Sequence, residues 1–502
     1  MGTLDKVKGL VENPPKEYRS APFWGWNDRL QKEHLGEQIE GFKKAGMGGF
    51  FIHSREGLET EYLSTEWMED VKFCVDKARE NDLELWIYDE DKWPSGAAGG
   101  KVSRVNPAEF TARALTMECG KAGELAVPAK LSTEEERIVT GDSDSLMCGG
   151  NRGVDENSMS GRNGGEDLAV EETMETEFLQ GVYVIQTAAD GRFIKRMKEY
   201  LTYEEAAGAC GVDEEILLLR QEISGKSEWY NGLMPPDNLN PESVKTFLKL
   251  THEHYEEVFG GSFPKEVKGF FTDEPNCCDF FSVFHEGRPW IPWSIGFTEY
   301  FIEKRGYDPQ EKLPYLFFDG EGAEKIRHDY WKTVAQRFEE SYMKQVYEWC
   351  DKRGLRTTGH ILYENDLGYQ TRVCGAAMPQ LRYLHNPGID LLGAQTDEYL
   401  TVKQCASVAH QYERSMTISE AYGCTGWELD FSTQKWLGDW QFALGITRRC
   451  QHLALYSITG GRGTIRRFST IRIPGGMTMI RWRIILVVWR CVFLRVSRCG
   501  RC

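Results

Sequence analysis

Eight short, β-rich apolar segments alternate with amphipathic helical stretches along this chain, and this alternation constrains its fold more than any other feature. They fall at residues 23–27, 49–54, 83–89, 269–273, 356–362, 391–396, 417–421 and 453–457, most of them closed by a polar residue. Strands that alternate with helices form βα units around a parallel sheet, and eight such strands are the number that closes a barrel. The expected class is therefore α/β, a (β/α)8 TIM-type barrel. The intervening helices fit this reading. Leu35, Ile39 and Phe42 recur at helical spacing before Gly46, which stands where a glycine ends a helix. Residues 330–353 read as one long helix stopped at Gly354.

The connection between the third and fourth strands is far longer than an ordinary βα loop. On this basis residues 1–105 hold the first three strands and residues 235–461 the remaining five. Residues 106–234 form an insertion, β-rich at 180–186 and 214–223. Within it, residues 131–176 are acidic, rich in Ser, Gly and Asn, and without apolar periodicity, a composition expected to stay disordered.

Residues 462–502 break the pattern of everything before them, with ten Arg, three Cys and no Lys, Asp or Glu. The apolar run Ile484, Ile485, Leu486, Val487 and Val488 is too short to span a membrane and is flanked by arginines. Allowed codons for residues 464–489, read two nucleotides later, give a string with the aromatic, proline and acidic character of the preceding chain. The segment is therefore read as an out-of-frame, non-native tail beginning near Gly461. As written, the chain would lack the helix that covers the eighth strand and is expected to fold poorly.

Charge narrows the partners. The net charge is −17, and without the tail 50 Lys plus Arg stand against 77 Asp plus Glu. That balance argues against nucleic acid or an anionic membrane, both of which need clustered cations. A neutral, polar small molecule suits it better. The first twenty residues have no apolar core of a signal peptide. The fourteen cysteines show no CxxC pair or zinc spacing, so reduced thiols in a cytoplasmic, soluble protein are expected.

In such barrels the chemistry sits on the loops that follow the strands. Here those ends combine carboxylates with aromatics: Trp24, Trp26 and Asn27; His53 and Arg55; Asp89, Glu90 and Trp93; Asp273 and Glu274; His360 and Glu364; Gln395; and Glu420. Aromatic faces stack on sugar C–H surfaces, and a pair of carboxylates supplies the acid and the base or nucleophile of glycosidic cleavage. Glu274 and Glu420, at the ends of the fourth and seventh strands, form the proposed pair, and the other residues form a substrate-binding rim. Asp273 could exchange roles with Glu274, and Glu364 could replace Glu420. Singly, a strand-end glutamate is as often a salt-bridge or capping residue, and His360 is more simply a hydrogen-bonded core histidine. The run PSGAAGG after Trp93 lacks the Lys-Ser/Thr ending of a phosphate loop and reads as a turn near the substrate.

The segments FWGWNDRL, AGMGGFFIHSREGL, LWIYDEDKWPSG, GFFTDEP and ISEAYG, in this order, resemble the barrel of glycoside hydrolase family 106, the α-L-rhamnosidases, and its bacterial relatives. The resemblance covers roughly residues 20–105 and 235–461. It implies inverting hydrolysis of terminal α-L-rhamnosides, with Glu274 and Glu420 at the matching glutamate positions and a calcium ion at the sugar. The HSREGL and YDEDKWPSG segments depart from the family, which leaves the sugar open. Dense carboxylates suit calcium, although nothing resembles an EF-hand loop, and no ligand set is assigned. Other readings remain. A lyase or aldolase would need a strand-end Lys, and only Lys92 is available. A non-catalytic carbohydrate-binding barrel would depend on Trp24 and Trp26 rather than Glu274. An inactive, truncated fragment is the third.

Overall fold

The computed structural model describes residue 9 and residues 13–125, 177–278, 288–425 and 429–457. Residues 131–176 and 462–502, read above as a disordered segment and an out-of-frame tail, lie outside the described residues. Fourteen strands run along the described chain. They are β1 (Phe23–Trp26), β2 (Gly49–Ser54), β3 (Glu84–Tyr88), β4 (Arg113–Gly120), β5 (Glu177–Thr187), β6 (Ile194–Tyr200) and β7 (Glu215–Ile223). They continue as β8 (Val267–Asp273), β9 (Trp290–Trp293), β10 (Arg356–His360), β11 (Asn386–Leu391), β12 (Ile418–Ala421), β13 (Arg448–Gln451) and β14 (Ala454–Leu455).

Nine of these form one parallel sheet in the order β13-β12-β11-β10-β8-β3-β2-β1-β14. Its edge strands β13 and β14 are consecutive in the chain, separated only by His452 and Leu453. β13 pairs with β12 and β14 with β1. The sheet thus curls into a nearly closed barrel of the TIM type, whose eighth strand comes in two short pieces. Phe23, Phe51, Trp86, Tyr88, Phe271, Ile418, Cys450 and Leu453, from β1, β2, β3, β8, β12 and the two-piece eighth strand, pack together inside it. Below them Arg448 of β13 reaches Glu84 of β3, a buried ion pair of 2.8 Å.

Helices between the strands form where their apolar stripes require. Lys32–Lys44 buries Leu35, Gly36, Ile39 and Phe42 and ends before Gly46, whose φ of 77° is the left-handed stop expected of it. Thr65–Glu80 starts on Ser64, whose hydroxyl accepts the Trp67 amide, and buries Trp67, Val71, Cys74 and Val75. The helical run that closes at Asp351 is not uniform, since Glu339–Met343 forms a π-helical turn.

Two strands differ from the sequence reading. The sixth is Asn386–Leu391 rather than 391–396: Pro387 and Gly388 disguise a strand as a turn, yet they pair with β10 and β12. The eighth begins at Arg448, before the expected 453–457: its first residues are charged or polar and carry no apolar signal, yet Arg448 pairs with Glu84 and Arg449 donates to the Tyr422 hydroxyl.

A second compact unit comprises Thr111–Gly225 and Asp279–Thr333. It carries a five-stranded antiparallel sheet in the order β6-β5-β7-β4-β9. Val182, Val184, Ala206, Ile216 and Leu218 form its core on one face. Among the described residues no helix is long and apolar enough to cross a membrane.

Candidate active site

Parallel pairing sets the centre of the site. β8 and β10 run in register with Asp273 opposite His360, and β11 and β12 with Asp390 opposite Glu420. β10 approaches β8 so closely that a Cβ on Gly359, at φ 140°, would lie 1.8 Å from the Thr272 carbonyl oxygen. Glycine at 359 is thus what lets His360 settle beside Asp273.

The His360 Nε2 lies 3.1 Å from Asp273 Oδ1 and 3.0 Å from Glu420 Oε2. Burial alone would discharge this imidazole, but the Asp273 and Glu420 carboxylates hold it well above its ordinary value. The bond is returned: although burial opposes it, the His360 hydrogen bond and the nearby charges of His452, His360 and Arg55 keep Glu420 below the usual carboxylate range. Glu274 is the opposite case. Burial, then the neighbouring Asp273 charge, pushes it up to about 8, although part of its surface stays open to solvent. Its backbone is left-handed at φ 48°, uncommon for a residue with a Cβ, and such backbone conformations collect at functional sites. One carboxyl therefore stays protonated at neutral pH while another stays ionised, the division that acid–base chemistry on a glycoside needs.

Three residues missed in the sequence reading complete the cluster. The Tyr88 hydroxyl donates to Asp273 Oδ2 at 2.5 Å. Tyr88 itself is stacked on His53, with ring centroids 3.7 Å apart, and burial followed by the charges of Arg55 and His452 keeps His53 neutral. His452 approaches Glu420 Oε1 from the other side at 3.5 Å. Asp390 lies with Glu420 and His360 in a group whose ligand atoms are all within 4.8 Å of one another. Tyr88 and His452 flank the predicted strand ends, and Asp390 is hidden by the shifted sixth strand.

Several predicted rim residues have other work. Trp24 and Trp26 do not face a sugar. In β1 successive side chains alternate, Phe23 points into the barrel, and both tryptophans point outward and are fully buried. Trp24 meets Phe42 and Phe50 edge-on, and Trp26 meets Trp67. Asn27 ties β1 to the end of the eighth strand, donating to the Ser457 carbonyl and accepting its amide. Gln395 braces its own loop through Glu398 and the Asp397 amide. Asp89 accepts from Ser95 Oγ, which in turn accepts the Asp273 amide, so Asp89 steadies Asp273 at one remove.

Glu90 fills a nest. Its two oxygens accept the amides of Asp91, Gly96, Ala97, Ala98 and Gly99, so the PSGAAGG loop is wrapped around a carboxylate of its own chain. Glu364 is similarly occupied, accepting the Asp390 amide at 3.0 Å and the Ile361 amide at 3.4 Å. This leaves Glu420, rather than Glu364, facing His360. Arg55 packs over the Trp93 ring at 5.3 Å; burial lowers its guanidinium, and the Glu420 and Asp273 carboxylates act against that. Arg55 and Trp93 thus belong to the rim of the same site.

Among the described residues two groups could in geometry hold a metal ion, Asp273–Glu274–His360 and His360–Asp390–Glu420. Neither fits calcium, which takes six to eight oxygen ligands. Both are built around His360, whose Nε2 is already shared by two carboxylates.

No family model matches the chain. A protein of Formosa agariphila, named Putative beta-glucuronidase, is 21% identical over an alignment 471 residues long that covers 89% of this chain and 38% of that protein. Among solved structures, the rhamnosidase from Novosphingobium sp. PP1Y is similar at a TM-score of 0.59 and 14% identity, over 96% of this chain and 60% of that one. The chain thus spans less than two thirds of the length of either. At this level of identity the likeness concerns architecture: the chain has the barrel fold found in a rhamnosidase.

Proposed function

We propose that this chain is the barrel of a glycoside hydrolase that cleaves a terminal, α-L-rhamnoside-like glycosidic bond with two carboxylates. The observation that carries this reading is the split between Glu274, held protonated, and Glu420, held ionised, on strand ends that converge on His360. Glu274 donates its proton to the glycosidic oxygen as the bond from that oxygen to the anomeric carbon breaks. Glu420 takes a proton from the water that adds to the anomeric carbon. The products are the free sugar and an alcohol, and solvent returns the two protons to their starting places. His360 keeps Glu420 ionised, and Tyr88 with His360 orients Asp273.

The fold of the rhamnosidase and the name of the Formosa agariphila relative support the glycosidase class. The sequence resemblance supports the rhamnoside. The test is a panel of 4-nitrophenyl glycosides that includes α-L-rhamnoside and β-D-glucuronide, with Glu274→Gln and Glu420→Gln alongside. Hydrolysis of the rhamnoside that falls about 10²- to 10⁴-fold in each variant is expected of acid–base groups. Turnover of no sugar would remove the glycosidase reading, and turnover of the glucuronide alone would replace the rhamnoside.

A further inference from the structure

The loop that follows β10 carries a pair of stacked tyrosines beside the proposed acid. Tyr363 and Tyr369 have ring centroids 5.1 Å apart at an interplanar angle of 29°. Tyr369 is 49% exposed, and Leu367 two residues before it 63%, whereas aromatics such as Tyr88, Tyr342 and Phe271 are fully buried. Both tyrosines are held in place. The Asp366 carboxylate accepts the Tyr369 amide at 2.9 Å and caps the helix Leu367–Cys374. Tyr363 has a left-handed backbone, φ 54°, and is followed by Glu364, which is anchored to two backbone amides. An aromatic residue held in that conformation is strained unless its surroundings fix it, and such strain gathers at ligand sites.

Position gives the pair its role. β8 and β10 are neighbours, with His360 opposite Asp273, so Glu274 and Tyr363 leave adjacent strand ends. Their closeness shows electrostatically: burial raises the Tyr363 hydroxyl, and the Glu274 charge raises it further. In a glycosidase the acid stands next to the leaving oxygen, so whatever lies beyond Glu274 meets the leaving group rather than the sugar being cleaved.

We propose that Tyr363 and Tyr369 form the subsite for the leaving group, and that they select a leaving group with a flat, ring-shaped apolar face. This rests on the glycosidase reading of Glu274. A preformed stack offers a rigid face that loses little conformational freedom on binding. An aryl ring or the C–H face of a second pyranose presents the matching surface, whereas a small leaving group does not.

The test compares 4-nitrophenyl α-L-rhamnoside, a rhamnosyl-glucose disaccharide and α-L-rhamnosyl fluoride on the full chain and on Tyr369→Ala and Tyr369→Phe. For Tyr369→Ala, the ratio of kcat/KM for the aryl glycoside to that for the fluoride falls about three- to tenfold, the size of one aromatic contact. Tyr369→Phe restores it. A matching fall for the disaccharide shows that sugar leaving groups use the same face, and no fall shows that aryl groups alone do. An unchanged aryl-to-fluoride ratio, or a loss that Phe does not restore, overturns the proposal.

A binding measurement separates this from failure of the hydrolase reading. In saturation-transfer NMR with Glu274→Gln, the aryl protons of the 4-nitrophenyl glycosides receive saturation, and adding Tyr369→Ala removes it. That result in a chain that hydrolyses nothing would sink the glycosidase reading and leave the ring-binding face standing. Aryl protons without saturation in Glu274→Gln would overturn the subsite itself.

Discussion

Replacing Arg448 by Met tests whether the barrel floor is held by charge. The guanidinium meets Glu84 Oε2 at 2.8 Å, and the two side chains are 1% and 9% exposed. Burial would raise the Glu84 carboxyl, but the Arg448 charge and hydrogen bond, with help from Lys268, hold it below its ordinary value. Removing one partner of a buried pair leaves the other uncompensated and costs about 3–5 kcal/mol. At a little under about 2 °C per kcal/mol for a barrel unit of about 270 described residues, this predicts a Tm lower by roughly 5–9 °C at pH 7.

The sign with pH is fixed by linkage. In the native chain Glu84 has a depressed pKa, so its contribution is present above the unfolded carboxylate value and is lost as pH falls through the folded one. In Arg448→Met the stranded carboxylate is destabilising while ionised, so the variant's deficit shrinks as the pH falls and Glu84 takes up a proton. Adding Glu84→Met to Arg448→Met should recover most of the loss, since an apolar pair of similar volume is often neutral or better. Thermal melts of both variants, from about pH 4 to 8, decide the matter. A single variant within about 1 kcal/mol of the native chain, or a double variant no more stable than the single, would refute the reasoning.

Three further outcomes follow from the site and its walls. With Glu274 as the proposed acid, raised to about 8, kcat/KM falls as the pH rises through about 8. With Glu420 as the proposed base, held below its ordinary value, the acid side fails only below the usual carboxylate range, and a full pH–rate profile checks both limbs. Trp24→Ala costs about 3–5 kcal/mol in chemical denaturation and leaves KM alone, since its ring packs in the helix layer; a raised KM without a stability loss would contradict that placement. Tyr88→Phe strands an oxygen of Asp273 and costs about 1–3 kcal/mol, read in the same denaturation assay, where equal stability would show the hydroxyl to be unneeded.

How far the sequence could be read depended on which residues signal which structure. Apolar runs such as GFFIHS and GFFTD placed β2 and β8 correctly, because barrel strands buried on both faces are continuous in hydrophobicity. The same rule missed NPGIDL, whose Pro387 and Gly388 imitate a turn, and RRCQ, whose arginines find partners only in the folded barrel. Asp390 and His452 were lost with those two strands. Glu274, His360 and Glu420 were legible as strand ends, but their convergence on one imidazole came only from the register. Trp24 and Trp26 were visible as a pair on one face. Which face it was depended on Phe23 and its distant partners Phe51 and Phe271, which no local pattern reveals.

The nest around Glu90 has a consequence for how constant the rim is. Five amides that converge on one point would ordinarily bind whatever anion the medium offers, and their shape would follow its concentration. Here the anion is part of the chain, so its effective concentration is set by geometry and cannot be diluted, and a free anion must compete with a tethered one. Burial raises Glu90 to about 7, so above that pH the tether is charged and holds the loop that follows Trp93 in one shape whatever anion the medium offers.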